Sequence, residues 1–251
     1  MALPEPAYQN SAGRLLAILT TMPNGVSYLD AVPKLFGTVG KTTEENQQAC
    51  LVGLLEIHKL YVECRQDLLD PNINDQLRKV ILAGLTGLHQ TIYPIALNNG
   101  LRAPTEAEKS LLEVAATTIS QEMGLREDDI DKIRKSITDL RTLVEDAEIA
   151  PTIRKVLLDL IRMSEDAISR FNIHGARGLR KAFKGMLAEA TEIYGLASGE
   201  GEREGLKKSN AWAAIMNTLK TFDEVSSRML KYKPMLEYVS QLLLGGPRSG
   251  N

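Results

Sequence analysis

Two stretches near the middle of the chain place apolar residues at helical spacing, at intervals of three and four positions in the first and nearly so in the second. The first comprises Ile130, Ile133, Ile137, Leu140 and Val144. The second comprises Ile153, Val156, Leu157, Leu160, Ile161, Ala167 and Ile168. Such spacing puts the apolar side chains on one face of an α-helix. Because the two predicted helices lie on either side of the short segment 148–151, and Pro151 suits a first helical turn, we expect an antiparallel αα-hairpin with coiled-coil-like packing.

Helical spacing also dominates the rest of the chain, whereas the strict alternation typical of β-strands is nearly absent. Most of the 10 prolines and 19 glycines fall where helices would begin or end. Thr42 with Glu45, and Thr105 with Glu108, match the capping-box pattern that opens a helix. The sequence therefore predicts an all-α fold, a helical bundle with a central antiparallel αα-hairpin and a long C-terminal amphipathic helix.

Helix-breaking glycine and proline residues divide the predicted bundle into segments. A breaker at 98–104 ends an N-terminal helical subdomain, residues 1–100. Residues 105–196 are predicted to hold the hairpin and a basic helix. A Gly-rich, weakly hydrophobic run at 197–208 predicts a flexible loop. Residues 209–251 then form a C-terminal docking helix and tail.

Charge and cysteine content narrow the class of protein to which the chain can belong. The formal net charge is −2 and the pI is near 6.0, so no global attraction to nucleic acid or anionic lipid is expected. Cys50 and Cys64 fall in one predicted helix, roughly 21 Å apart at about 1.5 Å per residue, and cannot bridge each other. No signal-peptide pattern and no run of about 20 apolar residues is present, so we expect a cytoplasmic protein without stable membrane insertion.

One basic concentration stands out in residues 170–184. Its members are Arg170, His174, Arg177, Arg180, Lys181 and Lys184. A helix beginning near Ala176 would place Arg177, Lys181 and Lys184 on one face and present its N-terminus to an anion. This pattern has two interpretations, a site for phosphate or an acidic partner, and a solvated helix face beside a tight turn.

The chain lacks the sequence patterns of common catalytic and metal sites. No H-E-x-x-H, C-x-x-C, G-x-S-x-G or complete phosphate-binding loop occurs. Its three histidines are scattered, and two of them, His58 and His89, lie in apolar helical runs. We expect these two to be partly buried hydrogen-bonding residues. The sequence therefore predicts no catalytic residue, cofactor or metal ion.

The C-terminal segment is rich in large apolar side chains at helical spacing. Candidate docking residues are Trp212, Met216, Phe222 and Met229. They favour a helix that packs on the bundle or on a second subunit. The alternative, a membrane-surface helix, is weakened by Asp223, Glu224 and Glu237.

Two segments resemble a family of uncharacterised, mainly bacterial, all-helical proteins. One is residues 13–19 (GRLLAIL), followed by residues 35–37 (LFG). The other lies within 168–187, where Gly175 and residues 178–183 (GLRKAF) lead from a turn into a helix. The resemblance spans most of the chain and implies a helical fold. It implies no activity and supplies no catalytic residue.

The leading functional hypothesis is a non-enzymatic α-helical module for protein interaction or self-assembly. By analogy with other small helical proteins, such a module is an accessory part of a bacterial stress or defence system. One alternative is binding of nucleic acid or a phosphorylated ligand through the basic residues 170–184. Another is a membrane-acting effector that uses the C-terminal amphipathic helix.

Overall fold

The computed structural model describes residues 6–145, 150–196 and 200–236. Regular secondary structure in these ranges is helical, and the predicted all-α bundle is confirmed. The chain divides into two compact units, Met1–Glu122 and Met123–Asn251. Within the described ranges, no helix combines the length and the apolar character that a bilayer crossing requires.

The first unit is formed by the N-terminal helices. In chain order these are α1 (Ser11–Thr21), α2 (Tyr28–Phe36), α3 (Thr43–Asp67), α4 (Asp75–Leu85), α5 (His89–Ile92) and α6 (Glu106–Thr118). A 3₁₀ turn, Thr86–Leu88, joins α4 to α5. Helix α1 packs on α3 and α6, while α2 packs on α3 and α4 packs on α6.

The second unit is formed by longer helices. In chain order these are α7 (Glu127–Val144), α8 (Pro151–Ser169), α9 (Phe171–Leu196), α10 (Glu200–Lys207) and α11 (Asn210–Met229). The two helices of the predicted hairpin form as α7 and α8 and pack against each other. Residues 146–149, which connect them, lie outside the described residues.

Helix starts follow the local sequence signals. The Thr42 hydroxyl accepts a hydrogen bond from the Glu45 N–H at 3.1 Å, and the Glu45 carboxylate accepts one from the Thr42 N–H at 3.2 Å. Thr105 and Glu108 make the same reciprocal pair at the start of α6. Both predicted capping boxes are therefore confirmed. Each one satisfies backbone donors that the first helical turn leaves unpaired.

Arg14 lies at the buried centre of the first unit, with only 1% of its surface exposed. Its two terminal nitrogens each donate to one carboxylate oxygen of Glu122 at 3.1 Å. One of them also lies 3.4 Å from a carboxylate oxygen of Glu63 on α3. One turn earlier on α1, the Ser11 hydroxyl donates to Asp67 at 2.6 Å. Helices α1 and α3 therefore run antiparallel, and the segment after α6 is attached to α1.

The predicted subdomain boundary at 98–104 is not where the two units divide. Helix α6 packs with α1 and α4 in the first unit, and the division falls after Glu122. The Asn10 side-chain amide donates to the carbonyls of Ala116 and Ile119 at 2.8 and 3.0 Å. A capped helix start is a local signal, so it does not reveal which neighbours the helix packs against.

The second unit has a continuous apolar core contributed by α7, α8, α9 and α11. Leu140, Leu160, Phe183 and Phe222 are completely buried within it. Helices α9 and α11 run antiparallel, since Arg180 contacts Asp223 near one end while the rings of Tyr194 and Trp212 lie 5.8 Å apart near the other.

Gly175 bends α9 near its beginning. Its φ of 55° and ψ of −150° are non-helical, and they interrupt the helix after its first turn. Only glycine adopts this backbone conformation without steric cost, because it has no Cβ. The glycine turn predicted to precede a helix from about Ala176 is confirmed.

Asp223 connects α9, α11 and the segment that follows α11. One carboxylate oxygen pairs with the Arg180 guanidinium and accepts from the Ser227 hydroxyl at 3.1 Å. The other oxygen accepts from the backbone N–H groups of Met235 and Leu236, each at 2.6 Å. Asp223 is 1% exposed and Arg180 is 7% exposed, so this charge pair is buried.

The predicted flexible loop at 197–208 is wrong for most of its length, because Glu200–Lys207 forms α10. Its two glycines, Gly201 and Gly205, stand among Glu, Arg, Leu and Lys, whose good helix propensity offsets the entropic cost of glycine. The Arg203 guanidinium also lies 5.4 Å from the ring centre of Tyr194 on α9. Residues 197–199 lie outside the described residues.

The C-terminal helix α11 occupies Asn210–Met229 of the predicted segment 209–251. It ends at Met229, Lys231 has a left-handed φ of 58°, and the Tyr232 N–H donates to the Ser227 carbonyl at 2.7 Å. This hydrogen bond ends the helix with the geometry of a Schellman-type cap. Apolar spacing continues past Met229 in the sequence, so periodicity alone did not reveal the end. The part of the predicted docking helix and tail from residue 237 onward lies outside the described residues.

We predict that Asp223→Asn lowers the free energy of unfolding of the second unit by about 3–5 kcal/mol, because Arg180 would remain charged and buried. Fluorescence of Trp212, the single tryptophan, reports on this unit during urea unfolding. The double variant Arg180→Met/Asp223→Asn should lose less, since no uncompensated charge remains. A loss below about 1 kcal/mol for Asp223→Asn would contradict this role of the ion pair.

A second prediction concerns acid stability. Burial favours a higher pKa for the Glu108 carboxyl, but hydrogen bonds from the Thr105 N–H and Arg102 outweigh burial and hold the pKa below its usual range. A carboxyl with a lowered native pKa stabilises the fold above its unfolded pKa of about 4.3, and this contribution is lost as the pH falls through the native pKa.

We therefore expect Glu108→Gln to be less stable than the unsubstituted chain at neutral pH and to lose less stability on acidification. Melting temperature, followed by circular dichroism as the pH is lowered, measures both effects. Glu106→Gln is the matched control, because the Glu106 side chain is 89% exposed and pairs only with neighbouring Lys109. Parallel pH profiles for Glu108→Gln and the unsubstituted chain would refute the prediction.

Candidate binding cleft

A cleft of about 320 Å³ opens in the first unit between α3 and the α4–α5 segment. We call it the His–Tyr cleft. Its lining consists of His58, Tyr61, Val62, Arg65, Gln66, Leu69, Leu82, His89 and Tyr93. Aromatic and aliphatic side chains thus make up most of the wall, with a small number of polar groups among them. This composition is typical of small-molecule pockets, which usually measure about 300–1,000 Å³.

Helix α3 builds one wall of the His–Tyr cleft. His58, Tyr61, Val62 and Arg65 are separated by three, one and three positions, so they share one face of the helix. The neighbouring face of α3, which includes Ile57, is buried in the core of the unit. Core packing therefore fixes the rotation of α3 and the direction in which the cleft residues point.

The opposite wall comes from α4 and α5. Leu82 lies on α4, and the 3₁₀ turn Thr86–Leu88 redirects the chain before α5. His89 begins α5, and Tyr93 follows its last residue. Since these two residues are four positions apart, one helical turn brings both rings to the same side.

Two histidine–tyrosine pairs connect the walls. The Tyr61 hydroxyl lies 3.1 Å from Nε2 of His89 and also 3.4 Å from the Leu85 carbonyl. Nδ1 of His58 hydrogen-bonds the Tyr93 hydroxyl. The rings of His89 and Tyr93 are 5.2 Å apart, edge to face. These contacts join the two walls of the cleft.

The two phenols differ in their access to solvent. Tyr61 is 2% exposed, whereas Tyr93 is 43% exposed and lies at the rim. Partial burial, together with the neighbouring Tyr61, raises the pKa of the Tyr93 hydroxyl. Tyr93 is therefore protonated at neutral pH and is able to donate a hydrogen bond.

Arg65 is the cation of the His–Tyr cleft. One terminal nitrogen donates to the Tyr61 hydroxyl at 3.4 Å, and the guanidinium carbon lies 5.8 Å from the Tyr61 ring centre. Across the residues that the structure describes, no carboxylate forms an ion pair with Arg65. The nine lining residues likewise include neither Asp nor Glu. The cleft therefore carries an uncompensated positive charge.

The residues predicted from the basic segment do not act as one group. Arg177, Lys181 and Lys184 are exposed and lie on one face of α9, as their spacing predicted. Arg170 pairs with Asp166 at 2.9 Å, and His174 is half-buried beside Gly175. Binding of an anion by the exposed face stays a prediction.

Arg180 does not belong with the exposed basic residues. Its guanidinium is buried, pairs with Asp223 and lies 4.9 Å from the ring centre of Phe183. The predicted anion-binding role is therefore contradicted for Arg180, since its charge is used inside the fold. Charge alone did not reveal this, because Asp223 lies 43 positions later.

The predicted docking residues pack inside the second unit. Trp212, Phe222 and Met229 are at most 5% exposed, and Met216 is partly buried against the same core. Of the two docking modes predicted from the sequence, packing on the bundle is the one observed. Docking of these residues on a second subunit or a membrane stays untested.

Metal and thiol chemistry receive no support from the described residues. No group of three or more His, Cys, Asp or Glu side chains in that part of the chain is close enough to hold a metal ion. Burial raises the pKa of Cys50 to about 11 and that of Cys64 to about 12. At neutral pH both cysteines are buried, protonated thiols.

In the sequence, His58 and His89 lie in separate apolar runs, and neither run by itself indicates the His–Tyr cleft. Their hydrogen bonding is confirmed, but His89 is exposed rather than partly buried. A signal existed in the repeated pairing of His or Tyr with an aromatic or Arg residue three or four positions later. That signal becomes specific only when α5 is known to face α3.

Comparison of the chain with known protein families, curated proteins and solved structures finds no match. The resemblance to bacterial all-helical proteins therefore stays a prediction.

Proposed function

We propose that this chain is a non-enzymatic binding protein that takes up a small organic ligand in the His–Tyr cleft. The supporting observation is a concave, largely apolar site in which Arg65 has no carboxylate partner among the described residues. Sites of this kind combine apolar burial with a few polar groups that orient the ligand.

Binding is favoured over catalysis by the chemistry of the lining. The cleft residues include no thiol, serine, carboxylate or lysine, so the usual nucleophiles are missing from the wall. Both histidines already hydrogen-bond tyrosines across the cleft. These contacts support a role in shaping the site.

Filling the cleft provides the first functional test. Val62 is partly buried in the wall, so Val62→Trp should occupy the space of a ligand. We expect small molecules identified by ligand-observed NMR with the full chain to lose binding to this variant. Val80→Trp is the matched control, because Val80 is 61% exposed on α4 and outside the lining.

Circular dichroism should show that both tryptophan variants remain folded. Ligands that bind Val62→Trp and the unsubstituted chain equally well would place the binding site elsewhere and overturn the proposal. Loss of binding in both variants would also count against the His–Tyr cleft, since Val80 does not line it.

A second candidate function, self-association, is favoured by one exposed face of α3. Leu51, Val52 and Leu55 lie within about one and a half turns, and each is 49–56% exposed. Burial of such a cluster is favourable at about 25 cal/mol per Å² of apolar surface. A second copy of the chain presents the same face, and a symmetric pairing of the two faces closes as a dimer.

Light scattering after size-exclusion chromatography tests this candidate. We expect a concentration-dependent mass of about twice 27.6 kDa, and Leu55→Glu should shift it towards the mass of one chain. Leu158→Glu introduces the same change at a leucine that is 50% exposed on α8, and it should leave the mass unchanged. A single-chain mass at every concentration would exclude self-association through α3.

A further inference from the structure

We propose that the ligand of the His–Tyr cleft is a small organic anion, a carboxylate or phosphate group on an apolar body, with Arg65 as its anchor. This inference rests on the ligand-binding function proposed above and adds the chemical class of the ligand. It follows from the charge, the donors and the apolar surface that the cleft presents together.

Arg65 has most of its hydrogen-bonding capacity unused. A guanidinium carries five N–H donors, and among the described residues Arg65 donates only to the Tyr61 hydroxyl, at 3.4 Å. Its planar geometry matches the two oxygens of a carboxylate or phosphate, which it binds through two parallel hydrogen bonds. A neutral ligand would leave that charge without compensation.

Three other arginines of the protein, two of them buried, show what this side chain requires. Arg14 pairs with Glu122, Arg180 pairs with Asp223, and partly exposed Arg102 binds both oxygens of Glu108 at 3.0 Å. Arg65 is also partly buried, but the fold brings no described carboxylate to it. Removing a cation from water without a counter-charge is unfavourable, so an anion bound here recovers that cost.

The neighbouring donors extend from Arg65 across the cleft. The Tyr61 hydroxyl touches Arg65 on one side and lies 3.1 Å from Nε2 of His89 on the other. An anionic group bound by Arg65 therefore lies near further hydrogen-bonding groups, Tyr61 on the same wall and His89 on the opposite wall. No carboxylate of the lining opposes it.

The remainder of the lining favours an apolar ligand body. Val62, Leu69 and Leu82 contribute aliphatic surface, and the tyrosine rings contribute aromatic faces. The volume of about 320 Å³ is at the small end of the usual range for ligand pockets. A single substituted ring or a short branched chain fits these dimensions better than a nucleotide does.

Isothermal titration calorimetry of the full chain with three probes tests the ligand class. Phenylacetate and phenyl phosphate share an apolar ring and differ in the anionic group, while phenylacetamide is a neutral analogue of phenylacetate. We expect at least one anion to bind about tenfold or more tightly than the amide, because charge-assisted hydrogen bonds are about twice as strong as neutral ones. The relative affinities of the two anions show whether a carboxylate or a phosphate is preferred.

Arg65→Gln should abolish the preference for the anion, since glutamine keeps part of the side chain but carries no charge. Arg162→Gln is the matched control. Arg162 is exposed on α8 and also forms no ion pair with a described carboxylate. We expect this control variant to keep the full preference.

Different outcomes of these titrations test the ligand class and the binding site separately. Equal binding of phenylacetamide and the anions, blocked by Val62→Trp, would overturn the anionic class and keep the binding site. An anion preference that survives Arg65→Gln would remove Arg65 as the anchor. Both proposals are wrong if none of the three probes binds and no other small molecule loses binding when Val62 is replaced by Trp.

Discussion

A guanidinium taken out of water needs a carboxylate beside it, and each unit of this protein is arranged around one such pair. In the first unit Arg14 of α1 pairs with Glu63 of α3 and with Glu122 in the segment after α6. In the second unit Arg180 of α9 meets Asp223 of α11. Apolar stripes bring helices together but tolerate sliding, whereas a buried charge pair is satisfied at one register. The buried ion pairs and the apolar core therefore together determine how the helices align.

Arg65 differs from the buried Arg14 and Arg180, because it is only partly buried and forms no ion pair with a described carboxylate. Arg65 shares its helix with Glu63 and Asp67, but those carboxylates point towards Arg14 and Ser11 on the other side of α3. The helix therefore presents carboxylates to one neighbour and an uncompensated cation to the His–Tyr cleft. This separation of charge on one helix is the physical basis for assigning a binding site to the first unit.

Local signals in the sequence were sufficient for the helices and for several of their ends. The capping boxes at Thr42 and Thr105, Pro151 in a first turn and the glycine turn at Gly175 are all present as predicted. Each of these depends on residues within a few positions of one another. The errors arose where distant contacts decide, as at α10, where Arg203 lies against Tyr194, and at the division of the units after Glu122.

The sequence by itself determined that this protein is helical, where its strongest helices lie and which side of each is apolar, because helical periodicity and capping are short-range properties. Only the tertiary structure decided which charges are used inside the fold. It placed Arg180 in an internal ion pair, left Arg65 facing a cleft, and brought His89 and Tyr93 to the wall opposite His58 and Tyr61. A binding site depends on contacts between residues far apart in the chain, and the register that creates those contacts is set by packing of the whole unit.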